Sequence, residues 1–206
     1  MANYIRMVIV LSAITLVSGL ALGALNELTY ETAENNVLKF KKIPAVATIY
    51  EGLVGQLDQE QKTALETELL AEKLSVDLGE KEPLLVFVIK KDGAPYAVAL
   101  EKFGPGYGGD LGVMMGFKIE DSSIVGIGIT TMAETPGVGT RVTEQIFVDQ
   151  FKTLPANAIL KVKKDGGNID AIAGATISCR AVALAAEQAK EYYEKHQEQI
   201  KIALTR

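Results

Sequence analysis

The spacing of apolar residues changes along the chain, which begins with an apolar run without charged residues. Residues 7–25 (MVIVLSAITLVSGLALGAL) contain no charged side chain. At about 1.5 Å per residue, a helix of this length reaches roughly 28 Å, close to the ~30 Å hydrocarbon thickness of a bilayer. The run therefore predicts a transmembrane helix, with Tyr4 at the interface and Arg6 flanking its start. A cleavable signal peptide is the alternative, because residues 21–23 (ALG) resemble a small-x-small cleavage site.

A helical period follows the apolar run. Residues 26–42 are polar with helical propensity, and Pro44 is expected to interrupt them. Between residues 58 and 78, apolar side chains recur mostly every four or five positions, which predicts an amphipathic helix ended by Gly79 and Pro83. These apolar side chains are Ala64, Leu65, Leu69, Leu70, Leu74 and Leu78.

The remainder of the chain contains shorter apolar runs separated by turn residues. A β-hairpin, two further strands, a helix, two short strands and a last helix are predicted in that order. The order predicts an α+β domain with a mostly antiparallel sheet and packed helices, preceded by one transmembrane helix. The predicted ranges are 84–90, 96–104, 113–120, 124–132, 141–151, 159–163, 169–172 and 177–206.

Composition narrows the kinds of chemistry that are open to the chain. The net charge of -5, from 21 basic and 26 acidic residues without a basic run, disfavours nucleic acid as a partner. A single cysteine, Cys179, excludes an intrachain disulfide and a cysteine-rich metal site. We expect it to be a packed apolar residue. A single histidine, His196, disfavours a histidine metal site or a Ser-His-Asp triad, and we expect it on a solvated helix face. Redox chemistry here therefore requires an organic cofactor.

One candidate for chemistry is the segment DAIAGATIS, residues 170–178. Its pattern is a strand that ends in a small-residue turn and opens a helix, whose free N–H groups and dipole favour a phosphate. Gly174 and Ala175 leave room for a phosphate to approach the backbone, and Thr176 supplies a hydroxyl that can be esterified. The structural alternative is that Thr176 or Ser178 is only a helix N-cap.

Two glycine-rich loops precede this segment. ETPGVG, residues 134–139, can lay backbone amides against a flat heteroaromatic ring, with Glu134 and Thr135 as hydrogen-bonding groups. GYGG, residues 106–109, has an aromatic side chain beside glycines that permit a ligand to approach the backbone closely. Each loop taken alone is also compatible with a purely structural turn.

Taken in order, GYGG, ETPGVG and DAIAGATIS resemble the FMN-binding domain family over roughly residues 84–189. This domain is found in the G subunit of Rnf complexes and in the C subunit of sodium-pumping NADH:quinone oxidoreductases. The resemblance implies that a flavin transferase links FMN through its phosphate to Thr176, with Asp170 opening the signature. Ala173 stands where Ser or Thr is usual, and Met132 lies near a position where relatives often have histidine.

The resemblance also implies a set of residues around the cofactor. The phosphate would lie against the backbone of Gly174, Ala175 and Ile177, and Lys164 would offset its charge unless it faces solvent. The isoalloxazine or ribityl chain would lie along Glu134, Thr135, Gly137, Val138 and Gly139. Further neighbours would be Tyr107, Gly108 and Gly109.

The compact length favours the Rnf G subunit within this family. The implied function is electron relay in a membrane ferredoxin:NAD oxidoreductase that moves sodium or protons. The implied partners are other membrane subunits, including another covalent-flavin subunit and iron–sulfur subunits. We expect an anchor at residues 1–26 in the inner membrane, a linker at 27–43 and an extracytoplasmic FMN-binding domain at 44–206. The alternatives are a C subunit of a sodium-pumping NADH:quinone oxidoreductase and a membrane-tethered flavin sensor.

Overall fold

The computed structural model describes residues 1–79, 83–152 and 154–205, and the chain divides into two units, Met1–Leu38 and Lys39–Arg206. The first unit is helix α1, Ala2–Val37. Its large apolar side chains are exposed on all faces, which is the pattern of a helix surrounded by an apolar medium. Within the described residues, the helical run Asn3–Val54 is the one stretch long and apolar enough to cross a membrane. The predicted long apolar helix is therefore confirmed.

Helical structure continues past residue 42, which the sequence pattern did not predict. A short π-helical turn, Leu38–Lys42, leads into α2, Ile43–Val54. The expectation that Pro44 interrupts helical structure is wrong, because Pro44 lies in the first turn of α2, where its missing N–H is not needed. The residues that α2 buries are Ile43, Ala45, Val46 and Ile49. The boundaries at residues 26 and 43 stay a prediction.

Helix α3, Gln59–Ala71, is shorter than its apolar spacing predicts. It begins at a capping box, in which the Asp58 carboxylate accepts from the Gln61 N–H at 2.8 Å and the Gln61 side chain accepts from the Asp58 N–H at 3.0 Å. The expected continuation to Leu78 is wrong, because Leu74–Val76 forms strand β1. This segment alternates apolar, polar and apolar, so it can pair with the next strand instead of extending the helix.

The sheet has five antiparallel strands in the order β1-β2-β3-β4-β5. The predicted hairpin, the two strands after it and the mostly antiparallel sheet are confirmed. Strand β3 continues to Pro105 and β4 already begins at Asp110, so their connecting loop is shorter than predicted and consists of residues 106–109. The four strands after β1 are β2 Leu84–Lys91, β3 Ala94–Pro105, β4 Asp110–Lys118 and β5 Ile124–Thr131.

The predicted last helix is α5, Thr176–Leu204, which packs on one face of the sheet. Its Tyr193 ring stacks on Phe117 of β4, with centroids 4.4 Å apart and planes 4° from parallel. Near the helix start, a Cβ added to Gly104 of β3 would lie 2.1 Å from the carbonyl oxygen of Ala181. Because Gly104 has no side chain, α5 can lie directly on β3. This contact sets the distance between the strand and the first turns of the helix.

Three further expectations are corrected by the structure. The single helix predicted at 141–151 is a 3₁₀ turn Gly139–Thr143, the one-turn helix α4 Gln145–Val148 and a 3₁₀ turn Asp149–Phe151. The strands predicted at 159–163 and 169–172 reduce to one parallel bridge, Val162 to Ile169, although Leu160, Val162 and Ile169 are all buried in the core. His196 is buried on α5 and not solvated, since its ring lies against Tyr192 with centroids 4.7 Å apart.

Candidate functional site

One end of the second unit carries a cavity of about 360 Å³ formed by three separate loops. These are the β3–β4 connection, the segment after β5 and the start of α5. This volume lies within the ~300–1,000 Å³ typical of small-molecule sites. The lining residues are Tyr107, Glu134, Thr135, Val138, Gly139, Gly174, Ala175, Thr176, Ile177 and Ser178.

The structure brings most of the predicted site residues to this cavity. Gly108, Gly109 and Gly137 belong to the same loops but do not line it. Lys164 does not reach the cavity either, because it lies in the exposed 3₁₀ turn Lys163–Asp165. Ser178 is the one lining residue that the sequence reasoning missed as a site residue; its small polar side chain after Thr176 was considered only as a possible helix cap.

The start of α5 forms one end of the cavity. The N-cap is Ala175 and no side chain caps the helix, so the N-cap alternative for Thr176 and Ser178 is wrong. Among the bonds of the described residues, none engages the N–H groups of Thr176, Ile177 or Ser178. Gly174 has φ +84°, a left-handed conformation that glycine adopts at no steric cost. The cavity end is therefore a helix N-terminus with free donors and no side-chain cap.

Thr176 and Ser178 differ in how their hydroxyls are used. The Ser178 side chain is buried and donates to Glu134 Oε2 at 2.6 Å. The Thr176 side chain is half-buried and lines the cavity, and its hydroxyl has no hydrogen bond to any residue that the structure describes. Of the two hydroxyls in this turn, Thr176 is the one free to react.

The segment leading to Thr176 is held by contacts with three other residues. The Asp170 N–H donates to Gln150 Oε1 at 2.6 Å, and Gln150 Nε2 donates back to the Asp170 carbonyl at 3.1 Å. The Asp170 carboxylate pairs with Lys163 Nζ at 2.6 Å. The Ile172 N–H donates to Cys179 Sγ at 3.3 Å. Burial raises the pKa of the Cys179 thiol, so this side chain is a packed, protonated support, as predicted.

The loop at residues 134–139 is folded by its own hydrogen bonds. The Thr135 carbonyl accepts from the N–H groups of Val138, Gly139 and Thr140 at 3.0–3.3 Å. The Gly137 N–H donates to Thr140 Oγ1 at 2.9 Å. The N–H groups of Gly137, Val138 and Gly139 are therefore engaged within the loop, and the expectation that its amides lie against a flat ring stays a prediction. Its contribution to the cavity wall consists of side chains and backbone surface.

Comparison with known proteins finds a family match that includes the cavity. Residues 106–191 match the FMN-binding domain. The resemblance predicted from the three loops is thereby confirmed. All ten lining residues of the cavity fall inside this match.

Two curated relatives are named as the G subunit of an ion-translocating oxidoreductase complex. The Vibrio cholerae protein is 35% identical over 130 residues, which are 60% of this chain and 62% of that protein. The Photorhabdus laumondii protein is 38% identical over 112 residues, or 51% of this chain and 53% of that protein. The chain thus matches less than two thirds of the length of these relatives.

A solved structure shows the same fold. It is the C subunit of the Na(+)-translocating NADH-quinone reductase from Parabacteroides distasonis, which has a TM-score of 0.56 at 20% identity. The match covers 69% of this chain and 85% of that one. At this level of identity the likeness supports the architecture of the domain.

The residues of the cavity fit FMN by their chemistry. The free N–H groups at the start of α5 suit a phosphate, and Gly174 leaves space for it. Apolar side chains at the rim suit a flat ring system: Tyr107, Val138 and Ile177 are 72%, 44% and 50% exposed. The donors and the apolar rim lie on one cavity, as a ligand with a phosphate at one end and a flat ring at the other requires.

Proposed function

We propose that this chain is an electron-transfer subunit of a membrane-bound, ion-translocating oxidoreductase of the Rnf type. The proposal is supported by the FMN-binding domain at residues 106–191 and by the similarity to proteins named as the G subunit of such a complex. FMN, when bound, supplies the electron chemistry, while the chain supplies placement and surroundings. The chain alone completes no catalytic cycle and acts within a larger assembly.

We further propose that FMN is held as a phosphoester of Thr176. The observation that carries this proposal is the free Thr176 hydroxyl, which lies on the cavity at a helix start with unengaged N–H groups. In the attachment step, Thr176 Oγ1 bonds to the phosphorus of an activated flavin phosphate, whose leaving group departs as the hydroxyl proton is lost. A flavin transferase would catalyse this step. The dipole of α5 then stabilises the phosphate charge.

The other lining residues take simple roles in this proposal. The backbone of Gly174, Ala175 and Ile177 steadies the phosphate. Thr135, Val138 and Gly139 form one wall along the ribityl chain or ring, and Tyr107 forms another. Ala173 is exposed, so the absence of a hydroxyl there removes no internal hydrogen bond of the fold.

The membrane part of the proposal rests on α1. Residues 1–26 would anchor the chain in the inner (cytoplasmic) membrane, with the FMN-binding domain on the extracytoplasmic side. The partners would be other membrane subunits, including one with a second covalent flavin and others with iron–sulfur clusters. The assembly would couple electron transfer to movement of sodium or protons.

The attachment is tested on the full chain purified from a host that expresses a flavin transferase. We expect flavin fluorescence in the denatured gel band and an intact mass increased by one FMN less one water. Thr176→Ala should lose both signals, whereas Ser178→Ala, which removes the neighbouring hydroxyl, should keep them. Flavin that survives denaturation in Thr176→Ala would refute attachment at Thr176.

The relay is tested separately in native membranes. We expect the chain to co-purify with other redox subunits, and Thr176→Ala to abolish electron transfer while leaving the assembly intact. Purification as a lone protein, or unchanged electron transfer in Thr176→Ala, would contradict the relay.

A further inference from the structure

The carboxylate of Glu134 connects the three loops that form the cavity. Glu134 is only 7% exposed. Its Oε1 accepts from the N–H of Tyr107 at 2.8 Å and from the N–H of Gly108 at 3.4 Å. Its Oε2 accepts from Ser178 Oγ at 2.6 Å. One side chain thus ties the β3–β4 loop to the first turn of α5, and it does so from the loop after β5.

Two glycines of these loops make room for the same carboxylate. A Cβ added to Gly106 would lie 2.2 Å from Glu134 Oε1, and one added to Gly139 would lie 2.3 Å from Oε2. Atoms cannot approach so closely, so a side chain at either position would displace Glu134. The glycines that suggested close approach of a ligand therefore serve, at these two positions, the packing of loops around a buried anion.

The hydrogen bonds of Glu134 all run toward its carboxylate oxygens. All three of its partners are donors, which is what an ionised carboxylate requires. No lysine, arginine or histidine of the described residues forms an ion pair with it. A buried negative charge without a cation is held by hydrogen bonds alone and is little screened by solvent. Because Glu134 also lines the cavity, its charge acts on whatever is bound there.

We propose that Glu134 is a positioning residue of the flavin site and that its charge lowers the reduction potential of a flavin bound there. It holds Tyr107 and the first turn of α5 in place at the cavity. Its fixed charge opposes the addition of electrons to a flavin bound there, because like charges repel strongly where solvent is excluded. The effect on the flavin rests on the proposed function, whereas the positioning of the loops does not.

The positioning is tested by hydrogen exchange on the full chain carrying Thr176→Ala, so that no flavin is attached. In Glu134→Ala, the amides of Tyr107 and Gly108 should exchange faster. In Glu134→Gln they should stay protected, because the amide oxygen still accepts from both. Asp110→Asn is the control, since it changes an exposed carboxylate at the end of the same loop. Unchanged exchange of both amides in Glu134→Ala would overturn the positioning role.

The charge is tested on the flavin-loaded full chain by a spectroelectrochemical titration. Glu134→Gln keeps the shape and hydrogen bonds of the side chain but removes its charge. At the wild-type midpoint potential, we expect Glu134→Gln to have at least a tenfold higher ratio of reduced to oxidised flavin than the wild type. This ratio corresponds to a rise of about 30 mV in the midpoint potential of a two-electron couple. Asp110→Asn should leave the ratio unchanged, because its side chain is exposed and screened.

The outcomes separate this inference from the proposed function. A loaded Glu134→Gln with the wild-type potential, or an equal shift in Asp110→Asn, overturns the electrostatic role while attachment stands. If the wild-type chain carries no flavin, the proposed function fails and the electrostatic role fails with it. Hydrogen exchange decides the positioning role in either case.

Discussion

Two glycine-to-alanine substitutions should change the stability of this fold in opposite directions. At Gly104, the new Cβ would lie 2.1 Å from the carbonyl oxygen of Ala181 and 3.1 Å from its Cα. Nonbonded carbon atoms pack at about 3.5–4.0 Å, and both of these obstacles are backbone. The first turns of α5 must therefore lift from β3 by more than about 1 Å. Overpacking of this kind typically costs about 1–3 kcal/mol of the free energy of unfolding.

Gly52 in α2 provides the matched control. Its Cβ would meet Lys152 Cε at 2.9 Å, but that atom lies near the end of a flexible side chain, whose Nζ forms a partly exposed ion pair with Asp149. Moving such a pair costs little, because partly exposed ion pairs contribute little to stability. Alanine in a helix is favoured over glycine by about 0.8–1.0 kcal/mol. We therefore expect Gly52→Ala to be neutral or stabilising. The same glycine-to-alanine change thus raises or lowers the free energy of unfolding according to the atoms that the new Cβ contacts.

Thermal unfolding of the full chain in detergent measures both effects. For a chain of this size, 1 kcal/mol corresponds to roughly 2–4 °C in Tm. Gly104→Ala should lower Tm by roughly 2–12 °C, and Gly52→Ala should leave it unchanged or raise it by up to about 4 °C. Because α5 begins at Thr176, Gly104→Ala should also reduce flavin loading. Equal Tm values for the two variants would refute the close approach of α5 to β3.

Two further predictions concern the core around α5. Phe117→Ala removes the ring stacked on Tyr193 and should lower the free energy of unfolding, measured with denaturant, by about 3–5 kcal/mol. Phe103→Ala should lower it far less, because the Phe103 ring is 47% exposed. Equal losses in the two variants would contradict the packing of Phe117 against α5. Burial and the raised pKa of Cys179 predict that iodoacetamide modifies it slowly at pH 8 in the folded chain and quickly in urea. Fast labelling of the folded chain, followed by mass spectrometry, would count against a buried thiol.

The strands and the long helices could be predicted because their signals are local. The short apolar runs of β2 to β5 and the long apolar run of α1 depend on neighbouring residues only. The end of α3 could not be predicted, because Leu74 satisfies both a helical and an alternating pattern. Only pairing of Leu74 with Val86 on β2 decides between them. Pro44 was misjudged for a related reason, since its effect depends on where the helix begins.

The segments that form the site were predictable from the sequence, but the contacts between their side chains were not. Thr176 and the loop containing Val138 were found from their order along the chain. Ser178 was missed because its partner, Glu134, is distant in sequence and only the fold brings them together. Lys164 was placed near a phosphate by proximity in sequence, yet its turn points away from the cavity and into solvent. Side-chain direction across loops is not encoded in any local period.

The exposed rim formed by Tyr107, Val138 and Ile177 has a consequence for how long a cofactor stays bound. A ligand held by affinity alone needs walls that bury most of its surface. A ligand held by a bond to Thr176 has no dissociation rate, so its retention does not depend on enclosure. A chain that holds its flavin by the proposed bond could therefore leave one edge of the ring uncovered without losing it. That uncovered edge would be the surface through which electrons enter and leave, and the proposed bond would make such openness compatible with permanent occupancy.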